Sequence, residues 1–504
     1  MAALAFALPL FAQEFRASLT GHITDPAGAA VPGATVKVRS QQTGQESTAT
    51  TSEDGSYNIP SLLPGMYTVT VEAAGFKTAS SENLELHVND KATLDLALEV
   101  GQVSDVVTVN AGEIALLERD TATRGQVIEN RRIVELPLNG RNPIMLATLA
   151  PGVQFNGNPQ FTRPFDNGDN AQFSINGGVQ RHNEFLLDGA PNNAVTDADN
   201  ARTRSSNNIA YVPPVDATQE FKVQTNSYDA SFGRTGGGVI NVSTRGGGNE
   251  FHGTLYEFAR RYQLEANDPA SKAAGRPRFA RDPVTGENLG GHLLDQYGGN
   301  VGGPIFVPRF GEGGRSFANG RDRAFFFVAY ERYREMLPAP RVVNVPTALE
   351  RQGNFSQSGI TIYDPLTTRP DPANPGRFIR DPFPGNIIPA NRLNPVGLAI
   401  ANAFPLPNTG AAGARFNNFI NSPNLESEQF YNFVLRGDAN IGENHHMFAR
   451  YVRNKRNQFS GFDYPGLERD AQDPLVRANN GVAVDLGSTL SQTKVLNLRA
   501  TYTR

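Results

Sequence analysis

The chain has 504 residues, enough for about three domains, with 39% hydrophobic residues and a formal net charge of −4. That charge offers no clustered basic face for nucleic acid, and the absence of cysteine excludes disulfides, thiolate zinc sites and a Cys nucleophile. Gly (50) and Phe (31) are abundant while only 19% of residues are charged, a balance that favours strands over helices.

The first apolar run, "MAALAFALPLFAQ", is too short for a membrane helix, which needs about 20 residues. With Ala12 at a small-residue cleavage position it reads as the remnant of a secretory signal over residues 1–14, without its basic n-region. No other window has about 18 continuous apolar residues. That says nothing of strands, because a β-barrel crosses lipid with alternating, weakly hydropathic segments.

Residues 15–100 predict a small all-β sandwich. "ASLTGHITDPAGAAVPGATVKVRS" gives two strands around a Pro/Gly turn. Asp54-Gly55 and Pro64-Gly65 mark further turns, and Tyr67, Val69 and Val71 line one face of a strand. "NLELHVNDKATLDLALEVG" predicts a closing hairpin around Asn89-Asp90. About seven short strands with regular turns indicate an immunoglobulin-like arrangement. The pieces "GHITDPAGAAVPGATVKV", "TSEDGSYNIPSLLPGMYTVTVEAAGF" and "LDLALEVG" resemble the carboxypeptidase regulatory-like domain. That resemblance implies a non-catalytic N-terminal extension on an exported protein. Some related sandwiches bind carbohydrate, but the chain has no Trp to form an exposed platform.

Residues 101–125 are a linker containing "SDVVTVNAG", a β-branched strand-like run over 104–112. On its residues alone this run is the sandwich's last strand, a tether, or a strand awaiting a partner.

Residues 126–246 predict a mixed α/β domain of short elements. "VIENRRIVELPLNGRNPIMLATLAPGV" opens with a helical turn and continues through Pro137 to an apolar run ending at Pro151-Gly152. "FSINGGVQRHNEFLLDGAPNN" gives a strand, a Gly turn and a strand ending at Asp188-Gly189, and two glycine triplets follow in "TGGGVINVSTRGGGNEFHG". In order and wording these stretches resemble the plug of TonB-dependent outer-membrane receptors, specifically the Oar-like group that carries a regulatory-like domain ahead of it.

Residues 247–504 predict long strands with very unequal connections. Tyr256 and Phe258 share a face opposite Glu257 and Arg261. Tyr431, Phe433 and Leu435 oppose Asn432, Arg436 and Asp438, Met447, Ala449 and Tyr451 oppose Arg450, and Leu496, Leu498, Ala500 and Tyr502 oppose Asn497, Arg499, Thr501 and Thr503. "RAFFFVAYERYRE" starts apolar on both faces. Apolar-out, polar-in alternation with short turns and long loops is the outer-membrane barrel pattern. A soluble array explains the alternation but not a Pro- and Asn-rich connection as long as 336–427. About seven such strands are legible, against about 22 in large transporters of this architecture, so the expectation is the N-terminal part of a longer barrel.

The resemblance supplies the linker strand with a partner. In these receptors a TonB box ahead of the plug pairs with the periplasmic TonB protein by β-augmentation. Here it implies Ser104, Asp105, Val106, Val107, Thr108, Val109 and Asn110. The expectations are an outer-membrane location with the N-terminal domain in the periplasm, and an unidentified extracellular ligand taken in by active import. The partners expected are TonB with its inner-membrane energising complex and outer-membrane lipid, with no cofactor and no nucleic acid. A surface adhesin or carbohydrate-binding protein using the sandwich is the alternative. An enzyme such as a peptidase is the third reading, for which no catalytic constellation is present. The glycine triplets lack the Lys-Ser/Thr of a phosphate loop. "DNGDN" at 166–170 and "DADN" at 197–200 lack full calcium-loop spacing. His445 and His446 are adjacent and face opposite sides of a strand. Arg131-Arg132 and Arg321/Arg323 read as solvated turns.

Overall fold

A computed structural model describes residues 15–103, 105–110, 122–157, 162–166, 171–180, 182–194, 208–233, 235–266, 269–273, 280–281, 285–308, 317–338, 341–411, 413–421, 425–459, 464, 475–491 and 494–504. It is mainly β, in three layers along the chain.

The N-terminal part is a two-sheet sandwich. One sheet joins β4 (Ser56–Leu62), β1 (Ala17–Thr24) and β7 (Lys91–Thr93), with β8 (Leu96–Ala97) also on β1. The other runs β3 (Glu46–Thr50), β2 (Thr35–Ser40), β5 (Gly65–Glu72), β6 (Thr78–Leu86) and β9 (Val106–Asn110). Alternation does what the period of two demands. Tyr67, Val69 and Val71 are buried, and full burial of a Val stabilises by about 1.5–3 kcal/mol. The Tyr57 hydroxyl donates to Leu94 O at 2.8 Å, tying β4 to the connection between β7 and β8. At Gly21 a Cβ would lie 2.0 Å from Leu94 O. Gly21→Ala is therefore expected to cost about 1–3 kcal/mol by overpacking, read as a lowered denaturation midpoint of the whole chain.

Asn89-Asp90 does not close a hairpin. β6 pairs with β5 and β9, while β7 pairs in parallel with β1, so the turn carries the chain from one sheet to the other. Asn89 takes positive φ (58°) there, a conformation Asn tolerates.

The second layer is a mixed sheet in the order β10 (Arg124–Glu129), β17 (Thr218–Asn226), β18 (Val239–Thr244), β13 (Glu184–Leu187), β14 (Ala190–Pro191). Smaller pairs are β11 (Val153–Phe155) with β12 (Phe173–Ile175), and β15 (Asn193–Ala194) with β16 (Asn208–Ile209). A helix over Asn130–Glu135 and a 3-10 turn over Pro143–Leu149 complete it. Its core includes Ile128, Ile133, Phe173, Phe185, Phe221 and Val242, and continues into Phe327, Ala329, Val434 and Val452 of the third layer. This continuity seats the second layer, in the place expected of a plug, against the wall that follows.

The wall is a seven-stranded antiparallel sheet of β19 (His252–Arg261), β22 (Leu293–Pro304), β25 (Ala324–Pro338), β30 (Leu425–Ile441), β31 (His445–Phe459), β32 (Leu475–Ser491) and β33 (Lys494–Thr503), in that spatial order and not closed. Short pairs decorate the connections: β20 (Ala280–Arg281) with β21 (Asn288–Gly290), β23 (Phe306–Pro308) with β24 (Phe317–Asn319), β26 (Arg341–Val343) with β29 (Phe419–Asn421), and β27 (Arg369–Pro370) with β28 (Phe378–Ile379). One end has the connections 305–323, 442–444 and 492–493; the other has 262–292, 339–424 and 460–474. The longest is internally braced by Arg369–Asp381 (2.7 Å) and Arg415–Glu350 (2.9 Å).

On β31 the inner face buries His446, Phe448, Arg450, Val452, Asn454 and Arg456 in strict alternation. The outer face exposes apolar side chains along the sheet, among them Tyr330, Leu435, Val484 and Leu498. Outer aromatics meet across strands, Tyr330 with Tyr431 at 6.4 Å and Phe433 with Tyr451 at 6.3 Å. The first strand reverses the expected orientation. Tyr256 and Phe258 point inward, and Leu255, 89% exposed, points out. The cause is the plug's Arg141, whose guanidinium lies 4.6 Å from the Tyr256 ring and 4.3 Å from that of Phe258, a cation–π clamp. Among the described residues no helix is long and apolar enough to cross a membrane.

Candidate functional site

The strand expected to await a partner in the linker is already paired. β9 lies parallel to β6 at the sandwich edge, from Thr78↔Val106 to Glu82↔Asn110. Thr78 N donates to Asp105 O at 2.9 Å, and the Thr78 hydroxyl donates to Val103 O at 2.7 Å. Ser104 lies outside the described residues. Side-chain burial at three described positions here is slight: Val106 is 62% exposed, and Asp105 and Thr108 are exposed. Main-chain hydrogen bonds supply most of its attachment, each worth about 1 kcal/mol net. Among the described residues its far edge carries no strand in the sheet, so it presents an open β-edge, the template on which another chain can pair.

Downstream, the plug is locked to the wall by buried ion pairs. Asp188 occupies the turn between β13 and β14 at positive φ (50°) and is 1% exposed. It accepts from Thr244 N and Thr244 Oγ1, both at 2.8 Å. It also meets Arg450 of β31 and, at 3.5 Å, Arg436 of β30. Arg436 in turn grips Asp438 at 2.8 Å. Charges this buried persist only when paired and hydrogen-bonded. A second lock sits toward the long-loop end. Arg163 reaches Asp166 (2.8 Å) and Glu335 (2.9 Å), Arg456 holds Glu428 (2.6 Å), and Phe165 packs between Tyr333 and Phe430. A third joins Arg141 to Asp216 at 2.5 Å beside Glu331, which accepts from Tyr256 at 2.9 Å.

One carboxylate ties all three layers together. Asp485, fully buried on β32, is bound by the sandwich's Arg16 and by Arg499 at 2.7 Å, while Arg499 donates to the plug's Gly189 O at 2.8 Å. The sandwich turn at Asn89 completes the docking. Asn241 donates to Asn89 at 2.7 Å and Lys222 to Asp90 at 2.9 Å. Glu220 accepts from Val88 N at 2.5 Å and pairs with His87 at 2.8 Å.

Burial disfavours both charges of that last pair. It raises the Glu220 carboxyl, against the His87 and Val88 donors. It also opposes charge on His87, but the Glu220 carboxylate prevails and pushes the imidazole up to about 9. Because the folded value lies above the ordinary 6.5, the stabilisation is complete below that pH and is lost as pH rises through about 9. Hydrogen-exchange protection of residues 87–90 is expected to fall between about pH 7 and 10. His87→Gln should flatten that profile.

The inner-face charges were visible in the sequence as polar alternation, but nothing local identified their partners. Of the weaker motifs, Asp166 serves the second lock, and 167–170 and 197–200 lie outside the described residues. Arg131 pairs with Glu135 at 3.1 Å. His446 turns inward to Asn440 at 2.8 Å, on the face opposite His445. Among the described residues no group of three metal-ligating side chains converges.

Comparison with known proteins matches residues 243–504 to the outer membrane beta barrel domain family and residues 18–99 to the carboxypeptidase regulatory-like domain. The chain is 29% identical over 293 residues to the TonB-dependent transporter Oar of Myxococcus xanthus, covering 56% of this chain and 24% of that protein. It therefore spans about a quarter of that relative's length. Similar solved structures include the siderophore receptor PirA from Acinetobacter baumannii, with 14% identity, a TM-score of 0.38, and 75% and 39% of the two chains covered. The outer membrane transporter YddB from Escherichia coli shares 11% identity with a TM-score of 0.39, over 75% and 38% of the chains.

Proposed function

Because this chain belongs to the outer membrane beta barrel domain family, we propose that it works as a TonB-dependent receptor of the outer membrane. In this reading an extracellular ligand binds at the long-loop end, chiefly on 339–424, and is imported through the plugged barrel. The observation that carries the reading is the arrangement along the chain: an open-edged strand, β9, directly precedes a plug that is pinned by ion pairs to the inner wall. The similarity to a TonB-dependent transporter supports it.

TonB's periplasmic domain is the partner of β9, pairing by β-augmentation. Force applied at residues 104–110 reaches β10 through the chain and loads a plug whose attachments are polar and breakable one by one. The sandwich stores the strand until it is engaged, and its docking through Asp485 and Glu220 keeps it beside the plug. Co-purification of the TonB periplasmic domain with the detergent-solubilised protein tests the reading. Retention that depends on residues 104–110 is the expected result, and equal retention after their replacement by Gly-Ser overturns it.

A further inference from the structure

The plug ends at Thr244 and the first wall strand begins at His252. The passage between them runs beneath the sandwich's turn between β2 and β3, where Asn249 N donates to Gln42 O at 2.9 Å. Glycine is required for its path: a Cβ at Gly247 would stand 2.4 Å from Phe326 O and 2.9 Å from Gly303 O. Sandwich, plug, passage and wall here enclose a cavity of about 320 Å³ lined by Gln42, Gln219, Arg245, Gly246–Gly248 and Asn300 among others.

The cavity is rich in donors that have nothing to donate to. Asn300 Nδ2, on the inner face of β22, is buried with no hydrogen-bond partner. Arg245 is half-buried, yet no carboxylate among the described residues lies within ion-pair distance of it. The successive amides of Gly246, Gly247 and Gly248 have no acceptor among the described residues. The acidic groups nearby are committed or solvated. Asp216 is held by Arg141 (2.5 Å), and Asp438, which lies against Gly246, by Arg436 (2.8 Å); Glu250 lines the cavity beside His252, with its side chain 79% exposed to water.

A guanidinium withdrawn from water without a counter-charge is costly. A planar fork of N–H donors beside consecutive backbone amides is complementary to a small oxyanion. We propose that this cavity binds one small oxyanion, a phosphate or a carboxylate, held by Arg245, Asn300 and the glycine amides at the junction of sandwich, plug and wall. The site does not depend on the transport reading. A bound oxyanion would brace the passage against the sandwich turn.

The test is calorimetric titration of the whole detergent-solubilised chain with sodium phosphate and with sodium acetate, at constant ionic strength set by chloride. Saturable one-site binding of at least one of the two is expected. Arg245→Gln should weaken it about tenfold or more, the scale of a lost charge-assisted hydrogen bond. Arg245→Lys should weaken it less, keeping the charge but not the fork. Asn300→Leu removes the buried donor without touching Arg245 and should weaken binding independently. Which salt binds distinguishes a phosphate from a carboxylate ligand. Neither binding, or binding unchanged in both Arg245→Gln and Asn300→Leu, overturns the proposal.

Discussion

Val107→Pro is expected to weaken capture of the TonB periplasmic domain about tenfold or more and to impair ligand import, while leaving the barrel and plug folded. The reason lies in the ladder. Thr78 N donates to Asp105 O, and in a parallel pair successive residues alternate which edge they bond. The amide of Val107 therefore faces β6, and those of Val106 and Thr108 face the open edge. Proline at 107 removes one donor and fixes φ near −65°, away from the parallel-strand value of about −120°. With Asp105, Val106 and Thr108 exposed, its release from β6 should follow and be read as lost exchange protection at 105–110. Affinity for TonB should drop about tenfold or more, that is about 1.4 kcal/mol or more. Val106→Pro separates two routes. If TonB adds to the open edge of a docked β9, Val106→Pro blocks capture and spares docking on β6. If TonB takes the edge that β6 now occupies, Val107→Pro is the more severe change. Wild-type capture and import in both variants would place the box elsewhere.

Asp188→Ala should produce the largest loss of stability of any single plug substitution. Asp188 is buried and takes hydrogen bonds from Thr244 and charge from Arg450 and Arg436. Arg436 retains Asp438, but Arg450 has no other carboxylate within ion-pair distance among the described residues. Removing one partner of a buried pair typically costs about 3–5 kcal/mol, because the other charge is left uncompensated. The expected readouts are a lower denaturation midpoint and faster proteolysis within 124–244, with the wall strands still protected. Asp188→Ala combined with Arg450→Leu should recover part of the loss, since the stranded charge is then gone. An unchanged midpoint in the single variant would mean that this ion pair does not hold the plug.

Much of the fold was legible without coordinates. The strand runs around Tyr67, Val69 and Val71, and those around Phe433, Leu435, Tyr451 and Leu498, announced themselves by period-two alternation, and seven wall strands appear where about seven were expected. The orientation of Tyr256 and Phe258 was not legible. Alternation sorts a strand's residues into two faces without saying which is inside, and it was Arg141, far away in the chain, that drew the aromatic face inward. The hairpin expected at Asn89-Asp90 failed for a related reason. A turn dipeptide specifies a reversal of direction, whereas whether the two strands share a sheet depends on what lies beside each of them.

The sequence by itself determined the β character, the sandwich ahead of the long-stranded wall, the polar inner face and the presence of a strand after the sandwich, which the structure places at Val106–Asn110. Those are local properties, set by side-chain period, turn chemistry and composition. Tertiary structure alone decided that this strand is paired with β6, that Asp485 joins three layers, and that Arg245 has no ion-pair partner among the described residues. An open β-edge accepts any strand of suitable register, and a buried charge accepts any partner of opposite sign within reach. Such pairings are chosen by three-dimensional proximity among residues hundreds of positions apart, as Arg16 and Asp485 are.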